Sequence, residues 1–436
     1  MSHSSKAASP RLGGGTALWV VGLLSFGLVV VVLVGLFIGL ATAKIPVPKT
    51  AATLHLIKDV SLPSAAIPPA GHAPIQSLPV DGFDFQALDP RTGLLFITHA
   101  GPSANKQALI RNQLPPGTRF QSQLVIFDTK KQAVIGHIAI PNVHGVTVAP
   151  DLGRVYAADV TDHQVDVIDE RSLRIIATIP LGVLPCSLAP CETPDALEYD
   201  AVDHRIFISG NGTDNAHQDI SVIDVRINRF IDILPLGQDQ FGDSIGHPQY
   251  DPSSHRLYVA VQPQPKPAPA APTAGPGTPA PTAAPVVFPP AQFLTIDPVS
   301  LQVLKRVSFN PQTCTDPHGL VVDPAQHIAF TACTVTHTLM MIDLQSMRLS
   351  GPWPVVLKPD ILRLDAGLHR LYVPGSTGVS IFDEQAAAKG TMQKVGDFVV
   401  SKGTSHTMAF NPSTHLLYFA VQDNQGRAVE RIEQNP

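Results

Sequence analysis

The sequence predicts an all-β fold, a seven-bladed β-propeller with four-stranded antiparallel blades, preceded by one N-terminal transmembrane helix. Three observations carry this reading. A hydrophobic string ending in Asp recurs along most of the chain, an aromatic residue centres the strand before each copy, and one long charge-free run lies near the N-terminus. Composition agrees with the fold. Of 436 residues 42 are Pro and only 15% are charged, where an ordinary domain carries about 25% charge. Plentiful Val, Ile and Leu exclude a disordered chain. A formal net charge of −5 with no basic block leaves no nucleic-acid footprint.

The N-terminal element comes first. Residues 13–43 hold no charged side chain, and residues 17–41 are almost continuously Leu, Val, Gly, Phe and Ile. About 20 apolar residues span a hydrocarbon core as a helix, because only a helix pairs its own backbone groups there. A cleaved signal peptide is the rival, and residues 41–43 resemble a cleavage site. Its apolar region is usually only about 7–15 residues, so an uncleaved anchor is the expectation, with domain boundaries at 1–16 (tail), 17–43 (anchor), 44–53 (stalk) and 54–436 (propeller). Lys6 and Arg11 before the span balance Lys44 and Lys49 after it, so flanking charge discriminates little between orientations.

The repeat follows. The strings at 124–128, 165–169, 220–224, 293–297, 339–343 and 379–383 end in Asp128, Asp169, Asp224, Asp297, Asp343 and Asp383, and a degenerate seventh copy spans 428–433. Each is preceded by a strand centred on Phe96, Tyr156, Phe207, Tyr258, Phe330, Tyr372 or Tyr418. A further strand precedes that one and ends at a turn rich in Pro and Asp, and a fourth follows the Asp string. Four short strands in a unit of about 40–50 residues is the pattern of a propeller blade. The last unit stops after three strands, so residues 54–62 are expected to pair beside 428–432 and close the ring. The recurrent Asp stands at a turn in each copy and reads as an Asx-turn residue.

Strings such as 154–157 and 165–169, followed by Ile179, Pro180, Leu181 and Gly182, resemble the YVTN-type (YncE-like) repeat family from about residue 54 to the C-terminus. The resemblance implies a seven-bladed propeller that is often exported, in a family that includes surface-layer and cell-envelope proteins. It implies no single activity, since relatives include binding proteins and similar propellers host lactonases and lyases.

Strand alternation puts the start of each innermost strand on one face, together with the loop between the second and third strands. A polar column falls there, six positions before each turn residue: Asp84, His144, Asp195, Gly246, His318, Asp360 and His406, with His247 one position out of register in blade four. Innermost strands line the central channel, so this column is expected to ring its mouth. Imidazole and carboxylate are metal ligands, and a carboxylate also orients an imidazole. The other reading is a solvated or hydrogen-bonded channel lining, and seven blades cannot all reach one ion.

Two insertions share this face. Residues 101–123 in blade one carry Lys106, Arg111 and Arg119 without an acid. Residues 263–290 in blade four are a Pro-rich run with the composition of a disordered loop, read as a docking arm or a tolerated surface insertion. The four cysteines pair as Cys186 with Cys191 and Cys314 with Cys333 if the domain is exported, and a four-thiolate zinc site is the alternative. No phosphate loop, nucleophile elbow or His-Glu-x-x-His string is present. The expectation is a membrane-anchored extracytoplasmic scaffold on the cell membrane that binds a cell-envelope protein or small molecule. The alternative is a metal-dependent, lactonase-like hydrolase or lyase at the channel mouth.

Overall fold

In a computed structural model of the protein, the described residues are 54–434, except 77, 79–81, 183–190, 213–217, 237–243, 264–288, 377 and 402–405. The expected anchor and stalk, and nearly all of the Pro-rich insertion, lie outside them. Among the described residues no helix is long and apolar enough to cross a membrane.

Seven antiparallel sheets follow one another along the chain. Blade two shows the plan: Val143–Ala149 is innermost, then Arg154–Asp159, Gln164–Asp169 and the outermost Arg174–Pro180. Each second strand buries its aromatic, with Phe96, Tyr156, Phe207, Phe330 and Tyr372 fully enclosed. The apolar side chains form a core between each pair of neighbouring blades. Phe96, Leu124 and Ile126 of blade one meet Val146, Val155 and Ile168 of blade two. Blade seven meets blade one in the same way, through Tyr418, Ala420 and Ile432 against Leu95, Ile97 and Phe127.

Ring closure takes the expected form. His55–Ser61 is the outermost strand of blade seven and pairs antiparallel with Ala428–Gln434, from His55 opposite Gln434 to Ser61 opposite Val429. Leu62 N then donates to Ala428 O at 2.9 Å. Arg431 clamps the two strands, its Nε and Nη2 donating to the Asp59 carboxylate at 2.8 and 2.6 Å. In all seven blades the outermost strand slips by one residue against its neighbour, as between Val167 and Ile168 in blade two and between Leu56 and Lys58 in blade seven. Such bulges twist an exposed edge away from unwanted pairing.

The Asp series serves the turns. Asp128 Oδ1 accepts from the amides of Lys130 and Lys131 at 3.0 and 2.9 Å, and Asp343 Oδ1 from those of Gln345 and Ser346 at 3.0 and 2.8 Å. Cys314 and Cys333 are joined by a disulfide, which removes the four-thiolate zinc alternative. Cys191 is also disulfide-bonded, while its expected partner Cys186 lies outside the described residues.

Asp59→Ala removes a bidentate pair from the closing seam, and urea unfolding is expected to show a loss of about 1–3 kcal/mol. Replacing both Cys314 and Cys333 with Ser opens a 19-residue link, and the same measurement is expected to show a loss of about 3 kcal/mol.

Candidate functional site

The polar column converges at one mouth of the channel because each innermost strand is irregular where it begins. Pairing with the second strand skips between Phe83 and Gln86, Val143 and Val146, Pro194 and Leu197, and Pro317 and Leu320. Asp84, His144, Asp195 and His318 therefore stand in bulges, which turn a side chain off the sheet. Buried threonines satisfy backbone groups freed there: Thr98 Oγ1 accepts from Phe85 N at 2.7 Å, and Thr331 Oγ1 donates to Gly319 O at 2.9 Å. The glycine after a ring residue admits the next blade. A Cβ on Gly145 would overlap the carbonyl of Asp195, and one on Gly319 the carbonyl of Asp360.

The seven side chains form two chains of contact. In the first, His144 Nδ1 lies 3.2 Å from Asp84 Oδ2 and 3.4 Å from Asp195 Oδ1, and His406 Nε2 lies 3.7 Å from Asp84 Oδ1. In the second, Asp360 Oδ1 faces both His318 Nε2 at 3.6 Å and His247 Nε2 at 3.7 Å. The His247 and His318 rings meet edge to face at 4.7 Å, and Phe85 packs on the other side of His247 at 4.8 Å. The one-position displacement of His247 has a cause. The innermost strand of blade four breaks between Ser244–Ile245 and Gln249–Asp251, and His247 N donates instead to His318 O at 2.9 Å.

Electrostatics separate the members of the ring. Burial opposes charge on His144, but the hydrogen bond to Asp195 and the charges of Asp84 and Asp195 outweigh it and raise its pKa. His406 rises against burial through its contact with Asp84 and the charge of Asp360. His318 rises against burial through the charges of Asp360 and Asp195. Asp84 is lowered despite burial by the His406 contact and the neighbouring imidazoles, whereas burial raises Asp360. His247, only 6% exposed, falls well below the ordinary imidazole value, first through burial and then through the charges of His318 and Arg363. Within the ring His247 is thus taken out of water, while the other six side chains stay partly exposed.

Below the ring, His247 roofs a channel cavity of about 330 Å³ that also touches Glu198, Gln249 and Arg363. Arg363 donates to the carbonyls of Gln86 and Leu362 at 2.9 Å each. Burial lowers its pKa to about 10, opposed by the charge of Glu198. Burial pushes Glu198 up to about 7, opposed by its hydrogen bond from Tyr250 N and the charge of Arg363. Sequence reasoning missed this layer, although a signal existed: Glu198, Gln249 and Arg363 occupy a second column three positions after Asp195, Gly246 and Asp360.

The blade-one insertion flanks the same mouth. It holds the helix Ala104–Ile110 and the short strand Arg119–Phe120, which pairs with Ala66–Ile67. Ile110 packs with Ala65, Ala66 and Leu78 in a satellite core. A cavity of about 790 Å³ runs between the insertion and blade two and is lined by Gln107, Phe120, Ser122, Asn142 and His144.

No family model matches the chain, and no curated protein matches it. Solved structures do. A chain of hydrazine synthase from Kuenenia stuttgartiensis is similar at 14% identity and TM-score 0.57, over 83% of this chain and 98% of that one. A chain of a mitotic checkpoint complex is similar at 12% identity and TM-score 0.56, over 90% of this chain and 95% of that one. At such identities the likeness is one of fold.

Gly319→Ala is expected to lower stability by about 1–3 kcal/mol in urea unfolding, since the added methyl must displace the Asp360 backbone. Glu198 gives a pH signature. Its folded pKa, about 7, lies above the ordinary 4.5, so the folded state keeps a proton that the unfolded chain releases. Stability is therefore present below the ordinary value and lost as pH rises to about 7. Glu198→Gln abolishes this slope, and melting curves should favour the variant at pH 8 by roughly 1–3 kcal/mol relative to pH 4.

Proposed function

We propose that this protein is a binding or interaction module, a divergent YVTN-type propeller held on the outer side of a membrane by its N-terminal apolar segment. Its ligand face is the channel mouth that bears the His/Asp ring. One observation carries the reading: ring, blade-one insertion and the cavity reaching His144 all open on a single face. Polar groups converging beside a formed cavity are the usual makings of a ligand site. Exposure to an oxidising compartment is supported by the Cys314–Cys333 disulfide and the bonded Cys191. One similar chain comes from a mitotic checkpoint complex, which accords with a propeller serving as a scaffold in an assembly. The partner is a cell-envelope protein or a small molecule, and the net charge of −5 argues against nucleic acid.

A photo-crosslinker at Gln107 on the insertion is expected to give discrete adducts in intact cells, while one at Ser172 on the opposite face gives none. Equal labelling at both positions would sink the reading. Protease added outside the cells should remove the propeller, and complete protection overturns the assigned orientation.

A second reading, a metal-assisted hydrolase or lyase for lactone-like substrates, is favoured by the grouping of His247, His318 and Asp360. A bound divalent ion supplies carbonyl polarisation or an activated water. On this chain His406, oriented by Asp84, is the base. Turnover of a lactone panel that depends on added metal and on His406 separates this from the binding module.

A further inference from the structure

Among the described residues three groups of His and carboxylate side chains bring their ligand atoms within 4.8 Å of one another. Their hydrogen bonding distinguishes them. In the group of Asp84, His144 and Asp195, one imidazole nitrogen already serves two carboxylates, at 3.2 and 3.4 Å. In the group of Asp200, Asp203 and His255, His255 Nε2 bonds Asp203 Oδ2 directly at 2.8 Å, and Asp200 Oδ1 caps its own turn through the amides of Val202 and Asp203. In the first group the imidazole nitrogen is spent on the two carboxylates; in the second Asp200 Oδ2 is buried without a partner among the described residues, but the imidazole is already spent on Asp203.

The group of His247, His318 and Asp360 is different. Asp360 Oδ1 is buried and has no hydrogen-bond partner among the described residues. It faces His318 Nε2 at 3.6 Å and His247 Nε2 at 3.7 Å, both beyond hydrogen-bond reach. A buried carboxylate oxygen without a donor costs free energy in proportion to its lost hydration. His247 is itself more than nine-tenths buried, wedged between Phe85 and His318. Two imidazole nitrogens and a carboxylate oxygen thus face one another, and no other donor among the described residues reaches that oxygen. The two carboxylate–imidazole spacings, 3.6 and 3.7 Å, are close to the roughly 3.4 Å that separates ligand atoms about 2.1 Å from a tetrahedral metal, and all three atoms lie within 4.8 Å of one another.

We propose that His247, His318 and Asp360 hold one divalent first-row transition-metal ion, of the zinc type, at the mouth of the channel. Two imidazoles and one carboxylate are a donor set for such an ion. Three protein ligands leave a fourth position, on the side where His318 and Asp360 each keep 26% of the side chain exposed. That position takes water or an oxygen donor of a bound molecule, such as a carboxylate. The site rests on the reading of this mouth as the ligand face and names what the face would bind through.

The test uses the full chain after chelator treatment, with Zn²⁺ titrated calorimetrically and Co²⁺ followed by its visible spectrum. One ion per chain is expected, with Co²⁺ bands of tetrahedral intensity. His318→Gln and Asp360→Asn should each weaken binding by about 100-fold or more, and His144→Gln by no more than about threefold. Apo melting curves identify a variant that fails to fold, and the isosteric Asp360→Asn then carries the comparison. A flat isotherm overturns the site, as does a loss in His144→Gln equal to that in His318→Gln. A flat isotherm with intact Gln107 crosslinks overturns the metal alone. A one-to-one isotherm with no crosslinks upholds the metal and overturns the ligand-face reading.

Discussion

The pairing of His55–Ser61 with Ala428–Gln434 is the constraint on which the rest of the structure depends. A propeller blade cannot bury both faces by itself, because each sheet packs its apolar side chains against the next. Seven interblade cores result only if the last blade is completed and meets the first. The closing strand supplies the backbone partners that would otherwise be an open edge, and Arg431 with Asp59 locks its register. Closure also makes the channel. Without it the innermost strands would have no common axis and the seven column residues no common mouth.

Within that frame the site is made by departures from regular pairing. A regular strand alternates its side chains, so a residue at the strand start would point along the blade or away from it. The bulges at Asp84, His144, Asp195 and His318 re-aim these side chains, and Gly145 and Gly319 let the next blade approach closely enough for imidazole and carboxylate to meet. The bulge also explains why the second polar layer lies three positions on. Glu198, Gln249 and Arg363 would face away from the column in an unbroken strand, yet they line the channel cavity that His247 also lines.

The fold was legible because the repeat states the same local chemistry from blade to blade: a buried aromatic and a hydrophobic string in each, and in six of the seven an Asp that caps its own turn. The polar column was legible for the same reason, as a fixed distance from a turn. What the sequence left open was how the column divides. The separation of Asp84, His144, Asp195 and His406 from His247, His318 and Asp360 depends on angles around the axis and on bulge geometry, neither of which has a residue-type signature. His247 shows the difficulty most clearly. Its displacement looked like a defect in the pattern, yet the broken strand of blade four is what places the imidazole under Phe85 and against His318.

Seven strands of similar sequence thus build a mouth with two unlike halves. On one half two carboxylates face two imidazoles, and the pKa of His144 is raised by Asp195 and Asp84 and that of His406 by Asp84 and Asp360. On the other half a single carboxylate serves two imidazoles, one of them stripped of water. The first half is held by contacts that close on themselves. In the second, burial disfavours charge on His247, and among the described residues no donor lies within hydrogen-bond distance of the free oxygen of Asp360. Polarity around the ring therefore changes from self-satisfied to unsatisfied over the width of one channel, and a ligand entering from the insertion side would meet the balanced half at His144 first. A symmetric repeat acquires direction in this way, through one displaced histidine rather than through an added domain.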